Sequence, residues 1–196
     1  DSYVMVLAVI LLFFFAKDNL ISASEGLIFF ISYLFYIYWL YRRSNSEPVD
    51  DVEETTSFIF LIGGLIGLLL GAQITVNAAV SIAEVIGVSE IVIGLTVVAI
   101  GTSLPELAGT VSAARMGHKE IAVGNVIGSN IANILLVMGV LAIINPIAVE
   151  QFVIERTLPL LILLTIATFA MIRLPLTRVG GTILFSFFLL FLYQLI

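Results

Sequence analysis

The sequence predicts an all-α membrane protein of about seven transmembrane helices. Its 196 residues are 61% hydrophobic and only 11% charged, and the mean hydropathy is +1.19. Soluble domains carry about 25% charged residues, so this composition is typical of a chain solvated by lipid. The absence of cysteine excludes disulfides and thiolate metal sites. The eight lysines and arginines are too few for a nucleic-acid-binding surface.

Seven apolar segments follow one another along the chain, with the charged residues confined almost entirely to the gaps. A helix that spans a bilayer needs about 20 apolar residues, and most of the segments approach that length. The first segment is short, as expected if the chain begins partway through a helix. The predicted helices are 2–16, 26–42, 57–80, 89–114, 121–144, 157–172 and 179–195.

The charged gaps predict the orientation of these helices. When the gaps are placed alternately on two sides, six basic residues fall on one side: Arg42, Arg43, Arg115, Lys119, Arg173 and Arg178. Only Lys17 and Arg156 fall on the other. Cytoplasmic loops carry the excess of lysine and arginine. We therefore expect a multi-pass protein of the cell membrane with its C-terminus outside and three cytoplasmic loops: 42–56, 115–119 and 173–178.

Two segments of similar sequence indicate an internal repeat. The stretch "ISASEGLIFFISYLFYIYWL" at 21–40 aligns with "LTRVGGTILFSFFLLFLYQL" at 176–195, and the predicted orientation of the two helices is opposite. Related segments of opposite orientation are typical of inverted-repeat transporters. The sequence thus predicts the last two helices of a first repeat at 1–43, an acidic cytoplasmic linker at 44–56, and a five-helix second repeat at 57–196.

The motif "GTSLPEL" at 101–107 places a proline and a carboxylate inside an apolar segment. Pro105 cannot donate a backbone hydrogen bond, so the carbonyl of Gly101 loses its helical partner and the neighbouring carbonyls are loosened. Glu106 follows Thr102 by four residues and Ser103 by three, so the three side chains can share a face. An all-oxygen cluster of this kind suits a hard cation such as Ca²⁺ or Na⁺.

The next predicted helix, "GNVIGSNIANILLVMG", carries a polar stripe at Asn125, Ser129 and Asn133. Gly124 and Gly128 have the spacing that lets a second backbone approach closely. The short turn before this helix makes it an antiparallel neighbour of the preceding one. We expect Glu106 to meet Ser129 and Asn133 near the middle of the membrane.

Structural readings of these residues remain open. A proline in a membrane helix can be only a kink, and Ser103 can bond back to its own helix. Asn125 and Asn133 can hold helices together through hydrogen bonds. Glu106 differs from them, because an ionisable residue within the membrane indicates a functional site by default.

The two motifs together resemble the α-repeat of the calcium/cation antiporter superfamily, in its sodium/calcium exchanger branch. The resemblance implies ten helices in two inverted repeats, with each repeat contributing a glutamate to a central group of cation sites. It implies the ligands Glu106, Thr102, Ser103, the Ala99 carbonyl, Ser129 and Asn133. The position of Asn133 is often aspartate in the family, so asparagine argues against dependence on K⁺.

The resulting prediction is a secondary antiporter, not an enzyme, that exchanges Na⁺ for Ca²⁺ by alternating access. The two ions are cargo, and no cofactor is expected. The chain itself is expected to be a partial exchanger in the lipid bilayer, with its first repeat supplied by the same gene or by a complementary half. The alternatives are an antiporter that exchanges H⁺ for Ca²⁺ or exchanges other cations, a cation channel, and an inactive half-module. An intramembrane serine protease based on Ser103 would need a base within reach, and the only histidine lies in a loop.

Overall fold

Nearly every described residue is helical, as the composition predicts. The computed structural model describes residues 1–44, 54–88, 93, 97, 99–173 and 178–195. The linker predicted at 44–56 and the start of the helix predicted at 89–114 therefore fall largely outside the described residues. The α-helices are α1 (Ser2–Phe15), α2 (Ala23–Ser44), α3 (Glu54–Val85), α4 (Ala99–Thr102), α5 (Leu104–Arg115), α6 (Lys119–Ile131), α7 (Gly139–Ile144), α8 (Leu158–Arg173) and α9 (Arg178–Leu195).

Irregular elements interrupt and connect these helices. A 3₁₀ turn, Ala16–Asp18, follows α1. Two π-helices, Ala132–Met138 and Val153–Thr157, precede α7 and α8. A short antiparallel pair joins β1 (Leu20–Ile21) to β2 (Ile147–Ala148). Both strand segments lie in gaps between the predicted helices, so this pair is an addition to the all-α prediction.

Four helical stretches of the described residues are long and apolar enough to cross a membrane: Ala23–Arg43, Phe58–Val85, Lys119–Ile144 and Val153–Arg173. The helix predicted at 2–16 is present as α1, whose 14 residues extend about 21 Å. The predicted helices at 121–144 and 157–172 are confirmed within a few residues, although both include a π-helical turn. The prediction of seven full spans is therefore supported only in part.

The chain divides into two compact units. Unit 1 comprises Asp1–Glu47 and Val123–Leu189, and unit 2 comprises Pro48–Ala122 and Leu190–Ile196. This division does not follow the predicted repeat boundaries, because it groups residues by spatial contact and not by sequence similarity. The assignment of 1–43, 44–56 and 57–196 stays a prediction.

The core of unit 1 lies where α1 and α2 pack against the segment from α6 to α8. Phe29 and Ile131 are completely buried there. A close backbone approach joins Gly26 of α2 to Gly139 at the start of α7. A Cβ atom added at Gly26 would lie 2.8 Å from the Gly139 carbonyl oxygen, and one at Gly139 would lie 3.0 Å from the Phe30 nitrogen. Only glycine fits at this crossing.

The strand pair fixes the loop that joins α1 to α2. Asn19 adopts the left-handed conformation, with φ of 65°. Its side-chain amide donates to the Val149 carbonyl at 3.0 Å, and its own carbonyl accepts from the Val149 N–H at 2.8 Å. Leu20 and Ile21 then pair with Ala148 and Ile147. The loop is thereby tied to a segment about 130 residues later in the chain.

In unit 2, α3 packs against both α4 and α5. An apolar groove of about 500 Å³ lies along this contact, with Leu104, Leu107 and Val111 of α5 facing Gly67 and Gly71 of α3. These α5 residues recur at helical spacing and form one stripe. The stripe leaves the opposite side of α5 directed away from α3.

Candidate functional site: a broken helix and a π-helix

The helix predicted to break at the proline does break. α4 ends at Thr102, α5 begins at Leu104, and Ser103 lies between them with φ of −94° and ψ of 0°. Pro105 occupies the first turn of α5, where its missing N–H removes no helical bond. The Ser103 N–H donates to the Ile100 carbonyl at 3.0 Å, three residues back. The interruption that the sequence predicted is therefore confirmed.

Glu106 lies in the first turn of the helix that starts after this break. It is half-buried, and its Oε2 atom is inaccessible to solvent. At 100° per residue, Glu106 lies on the side of α5 opposite the stripe that faces α3. The N-terminal turn of a helix carries partial positive charge and favours a carboxylate there. The break thus creates a helix N-terminus whose first turn includes the carboxylate.

The other predicted ligands of unit 2 lie close to Glu106 along the chain. Ala99 and Thr102 are the first and last residues of α4, and Ser103 forms the break. Both hydroxyl-bearing side chains are exposed. α4 ends at Thr102, four residues before Glu106. The structure therefore keeps these four residues in one short segment.

Gly101 plays a packing role that sequence reasoning missed. It is buried, and a Cβ atom added to it would collide with the Val76 side chain of α3. Val76 of α3 therefore packs directly against Gly101. A glycine inside an apolar motif was the signal available in the sequence, but nothing in the sequence indicated which helix would cover it.

The polar residues of the following helix belong to unit 1. Ser129 is half-buried, and its hydroxyl donates to the Val126 carbonyl at 3.2 Å. The Asn130 amide donates to the same carbonyl at 2.8 Å. Ser129 thus bonds to its own helix, while the lone pairs of its oxygen remain able to coordinate a cation. Asn125 is half-buried on the same helix.

Asn133 lies within a π-helix, which the sequence reading did not foresee. A regular helix was expected over 121–144, but Ala132–Met138 forms π turns, in which each N–H bonds five residues back. The regular α-helical stripe therefore ends before Asn133. Its side chain is exposed. Single π turns inside α-helices occur frequently at functional sites.

At Gly124 and Gly128, no second backbone approaches within the described part of the chain. No described atom lies within 4 Å of a Cβ added at either residue. The close crossing in this unit lies instead at Gly139, where α2 supplies Gly26. Spacing alone could not distinguish these glycines, because the choice depends on which helix passes by.

The predicted ligands thus form two groups. Ala99, Thr102, Ser103 and Glu106 belong to unit 2, and Ser129 and Asn133 belong to unit 1. Their meeting around one ion stays a prediction. Among the described residues, no three side chains of His, Cys, Asp and Glu form a cluster that could hold a metal ion. A cation held here would depend on one carboxylate and on neutral oxygens.

Comparison with known proteins assigns the class. The profile of the sodium/calcium exchanger protein family matches residues 56–196. The sodium/calcium exchanger MaX1 of Methanosarcina acetivorans is 41% identical over 130 residues, which cover 65% of this chain and 37% of that protein. The inner membrane protein YrbG of Escherichia coli is 32% identical over 164 residues, or 76% of this chain and 50% of that protein.

A solved structure agrees with these sequence matches. The sodium–calcium exchanger NCX_Mj, soaked with 2.5 mM Na⁺ and 1 mM Sr²⁺, superposes with a TM-score of 0.82 at 29% identity. The alignment covers 96% of this chain and 63% of NCX_Mj. The chain spans about half or less of the length of its sequence relatives and under two thirds of this structure.

The chain belongs to the sodium/calcium exchanger family of membrane transporters. The resemblance drawn from its two motifs is confirmed, as is the expectation that it is not an enzyme. It is a multi-pass membrane protein of a cation-exchanging class, and the serine-protease reading of Ser103 is excluded by that class.

Proposed function

We propose that this chain forms part of a Na⁺/Ca²⁺ exchanger that works by alternating access. The observation that carries the proposal is Glu106, a half-buried carboxylate at the start of the helix that follows a break in an apolar segment. A carboxylate within a membrane span is costly unless it binds a partner of opposite charge. Interrupted helices that present carbonyls and polar groups are the usual site of ion coupling in secondary transporters.

The proposed site combines the two groups of residues. Glu106 supplies the charge, and Thr102, Ser103 and the Ala99 carbonyl supply neutral oxygens from the same segment. Ser129 and Asn133 supply oxygens from the next helix. Calcium takes six to eight oxygens at 2.3–2.6 Å and usually more than one carboxylate. One glutamate is too few, so the site would be completed by residues of a first repeat.

The partial length of the chain supports this view. It covers 63% of NCX_Mj, and the alignment of 21–40 with 176–195 supports the assignment of residues 1–43 to the end of a first repeat. The counterpart of Glu106 would then lie about 49 residues before residue 1. In this arrangement the acidic linker and the loops at 115–119 and 173–178 are cytoplasmic, and the C-terminus is outside.

The test is transport by the complete exchanger and by this chain alone. Vesicles loaded with Na⁺ and containing the complete protein should accumulate radioactive Ca²⁺, and collapsing the Na⁺ gradient with an ionophore should stop uptake. Uptake driven instead by a pH gradient would identify exchange of H⁺. Flux that shows no saturation and no need for a counter-ion would identify a channel.

The chain reconstituted alone should bind Ca²⁺ weakly and show no exchange. Addition of a complementary first repeat should restore exchange, whereas a chain that is only an assembly module would stay inactive in every arrangement. Robust exchange by the chain without a partner would show that one repeat and the two preceding helices suffice. That result would overturn the partial-exchanger proposal.

A further inference from the structure

Two aligned helices of the chain, α2 and α9, differ in how they are covered. The alignment of 21–40 with 176–195 pairs Gly26 of α2 with Gly181 of α9. Gly26 is buried, and a Cβ atom added to it would lie 2.8 Å from the Ala142 Cβ atom of α7. Gly181 is exposed, and no described atom lies within 4 Å of a Cβ added there. The two aligned glycines therefore have opposite surroundings.

The difference extends along the same side of the two helices. Gly26, Phe29 and Tyr33 share one face of α2, at 100° per residue. Phe29 is completely buried, and Tyr33 is half-buried. Their counterparts on α9 are Leu184, which is half-buried, and Phe188, which is 41% exposed. The face of α9 that corresponds to the packed face of α2 is thus more open.

The packing of α1 on α8 supports a two-fold relation between the repeats. The residue offset of the alignment places α1 opposite 157–170, which is nearly the whole of α8. The two helices pack on each other, with the rings of Tyr3 and Phe169 5.1 Å apart. The strand pair joins the end of α1 to the segment before α8, so the helices are antiparallel. A two-fold axis between inverted repeats exchanges two equivalent helices and allows them to meet in this way.

Under a two-fold relation, each contact between the repeats occurs twice. Gly26 belongs to the proposed first repeat and contacts α7 of the second. Gly181 of the second repeat should therefore contact the equivalent of α7 in the first. The offset places that segment about 11 to 16 residues before residue 1. The chain covers 63% of NCX_Mj, so a complete relative contains further residues that can supply it.

We propose that the face of α9 around Gly181 is the docking surface for the third helix of the first repeat, the equivalent of 121–144. The inference rests on the proposed function, which assigns a first repeat to this exchanger. Hydrophobicity does not select the face, because lipid tails are as apolar as leucine. Close backbone approach does select it, and glycine permits that approach. We expect a small residue on the docked helix at the crossing, as Gly139 and Ala142 provide on α7.

Disulfide cross-linking in the complete exchanger tests this contact. The 196 residues contain no cysteine, and any upstream cysteine is first replaced by serine. Gly181→Cys is combined with one cysteine at each position equivalent to Gly139–Ile144, and a protease site is inserted in the linker 44–56. Cysteines can link when their Cα atoms lie within about 7 Å. After oxidation and cleavage, linkage at Gly181 should hold the two halves together on a non-reducing gel, from one face of the scanned helix.

Two matched pairs control the cross-linking. Gly26→Cys with Ala142→Cys should link the same two halves through the crossing described above. Ile183→Cys should not link, because it lies about 200° around α9 from Gly181 and its counterpart Ile28 is exposed. Preferential linkage of Ile183, or an unlinked Gly181 beside a linked Gly26 control, would overturn the proposal. A product joined through Gly181 of two copies would also overturn it, because a second copy would then cover this face.

Thermal unfolding gives a second measurement that does not depend on disulfide geometry. In this chain alone, Gly181→Ala should leave the unfolding temperature unchanged or raise it by about 2–4 °C, because alanine favours the helix. In the complete exchanger, the same methyl group should meet the docked helix and lower the temperature by about 2–6 °C. Gly26→Ala should lower it in both proteins. An equal effect of Gly181→Ala in both would contradict docking by the first repeat.

The docking surface and the proposed function can fail separately. Linkage at Gly181 in a complete protein that shows no Na⁺-driven uptake of Ca²⁺ would support the docking surface and refute only the exchange activity. Na⁺-driven uptake by a complete protein in which Gly181 does not link would refute only the docking surface.

Discussion

Unit 1 and unit 2 each interrupt a membrane helix, but they do so by different means. In unit 2 the interruption is covalent in origin, since Pro105 cannot continue the hydrogen bonding of α4. In unit 1 no proline is present in Ala132–Met138, and the helix widens into π turns while its backbone stays continuous. The first interruption is encoded by one residue, and the second arises from the surroundings of the helix.

The two interruptions also share a feature. Each lies beside a glycine against which another helix packs: Gly101 against Val76 of α3, and Gly139 against Gly26 of α2. A close crossing supports backbone that departs from regular α-helical geometry, because the neighbouring helix fixes its position. We expect these glycine contacts to hold the polar residues at both interruptions in place.

The largest effect is expected at Glu106. Glu106→Gln in the complete exchanger keeps the shape of the side chain and removes its charge. Loss of one partner from a buried charge pair costs about 3–5 kcal/mol, which corresponds to a loss of roughly a hundredfold or more in Ca²⁺ affinity. Na⁺-driven uptake of Ca²⁺ into vesicles should be abolished.

Glu84→Gln is the matched control for that variant. Glu84 lies in the last turn of α3 and is exposed, so the same substitution there should leave uptake near normal. If Glu106→Gln transported Ca²⁺ at the normal rate, the carboxylate would not be a ligand. The proline-encoded interruption would then be only a kink.

A smaller effect on transport is expected from a substitution that restores a continuous helix at the break in unit 2. Pro105→Ala supplies an N–H that can bond to the Gly101 carbonyl, so α4 and α5 should join into one helix. Proline inside a helix costs about 3 kcal/mol, so the variant should unfold at a higher temperature. Transport by the complete exchanger should fall about tenfold, which corresponds to a loss of ~1.4 kcal/mol in the free energy of ion binding. Thermal unfolding and initial uptake rates measure the two changes.

Pro159→Ala is the control for this variant, because Pro159 is exposed in the first turn of α8. A proline at that position removes no helical bond, and its replacement should change neither quantity greatly. Unaltered transport by Pro105→Ala would show that the broken backbone takes no part in binding the ion.

The glycine contact beside the π-helix gives a stability effect. Gly26→Ala places a methyl group 2.8 Å from the Ala142 Cβ atom and from the Gly139 oxygen. Overpacking of this kind costs about 1–3 kcal/mol. Gly124→Ala makes the same change where no described atom lies within 4 Å, and it should be neutral or stabilising by up to about 1 kcal/mol.

Thermal unfolding of the purified chain in detergent measures both glycine variants. The expected order of stability places Gly124→Ala at or above the unmodified chain and Gly26→Ala below it. The reverse order would mean that the helix containing Gly124 makes the closer backbone crossing, as its spacing alone suggests.

The smallest effect concerns K⁺. Asparagine at position 133 lowers the charge of the proposed site relative to aspartate, so exchange by the complete protein should proceed equally with and without K⁺. Uptake of Ca²⁺ at varied K⁺ concentration, with the membrane potential clamped, measures this. A strict requirement for K⁺ would contradict the role assigned to Asn133. The π-helix that carries Asn133 would then differ in function from the broken helix that carries Glu106.

The sequence by itself determined the membrane class, the approximate positions of the helices and the break before Pro105. These features depend on composition and on the covalent limits of one residue, which act in any surroundings. It also singled out Glu106, because an ionisable group is rare in an apolar segment and requires a physical reason.

Only the tertiary structure decided which glycines are crossed, where the π-helix lies and how β1 pairs with β2. Apolar helices are hydrophobic on every side, so their periodicity does not show which face meets a neighbour. Gly124 and Gly139 look alike in the sequence, and Gly139 differs only because α2 brings Gly26 against it. The strand pair joins residues about 130 positions apart, and no local preference specifies such a contact. These features depend on partners distant in the chain, which local sequence patterns do not encode.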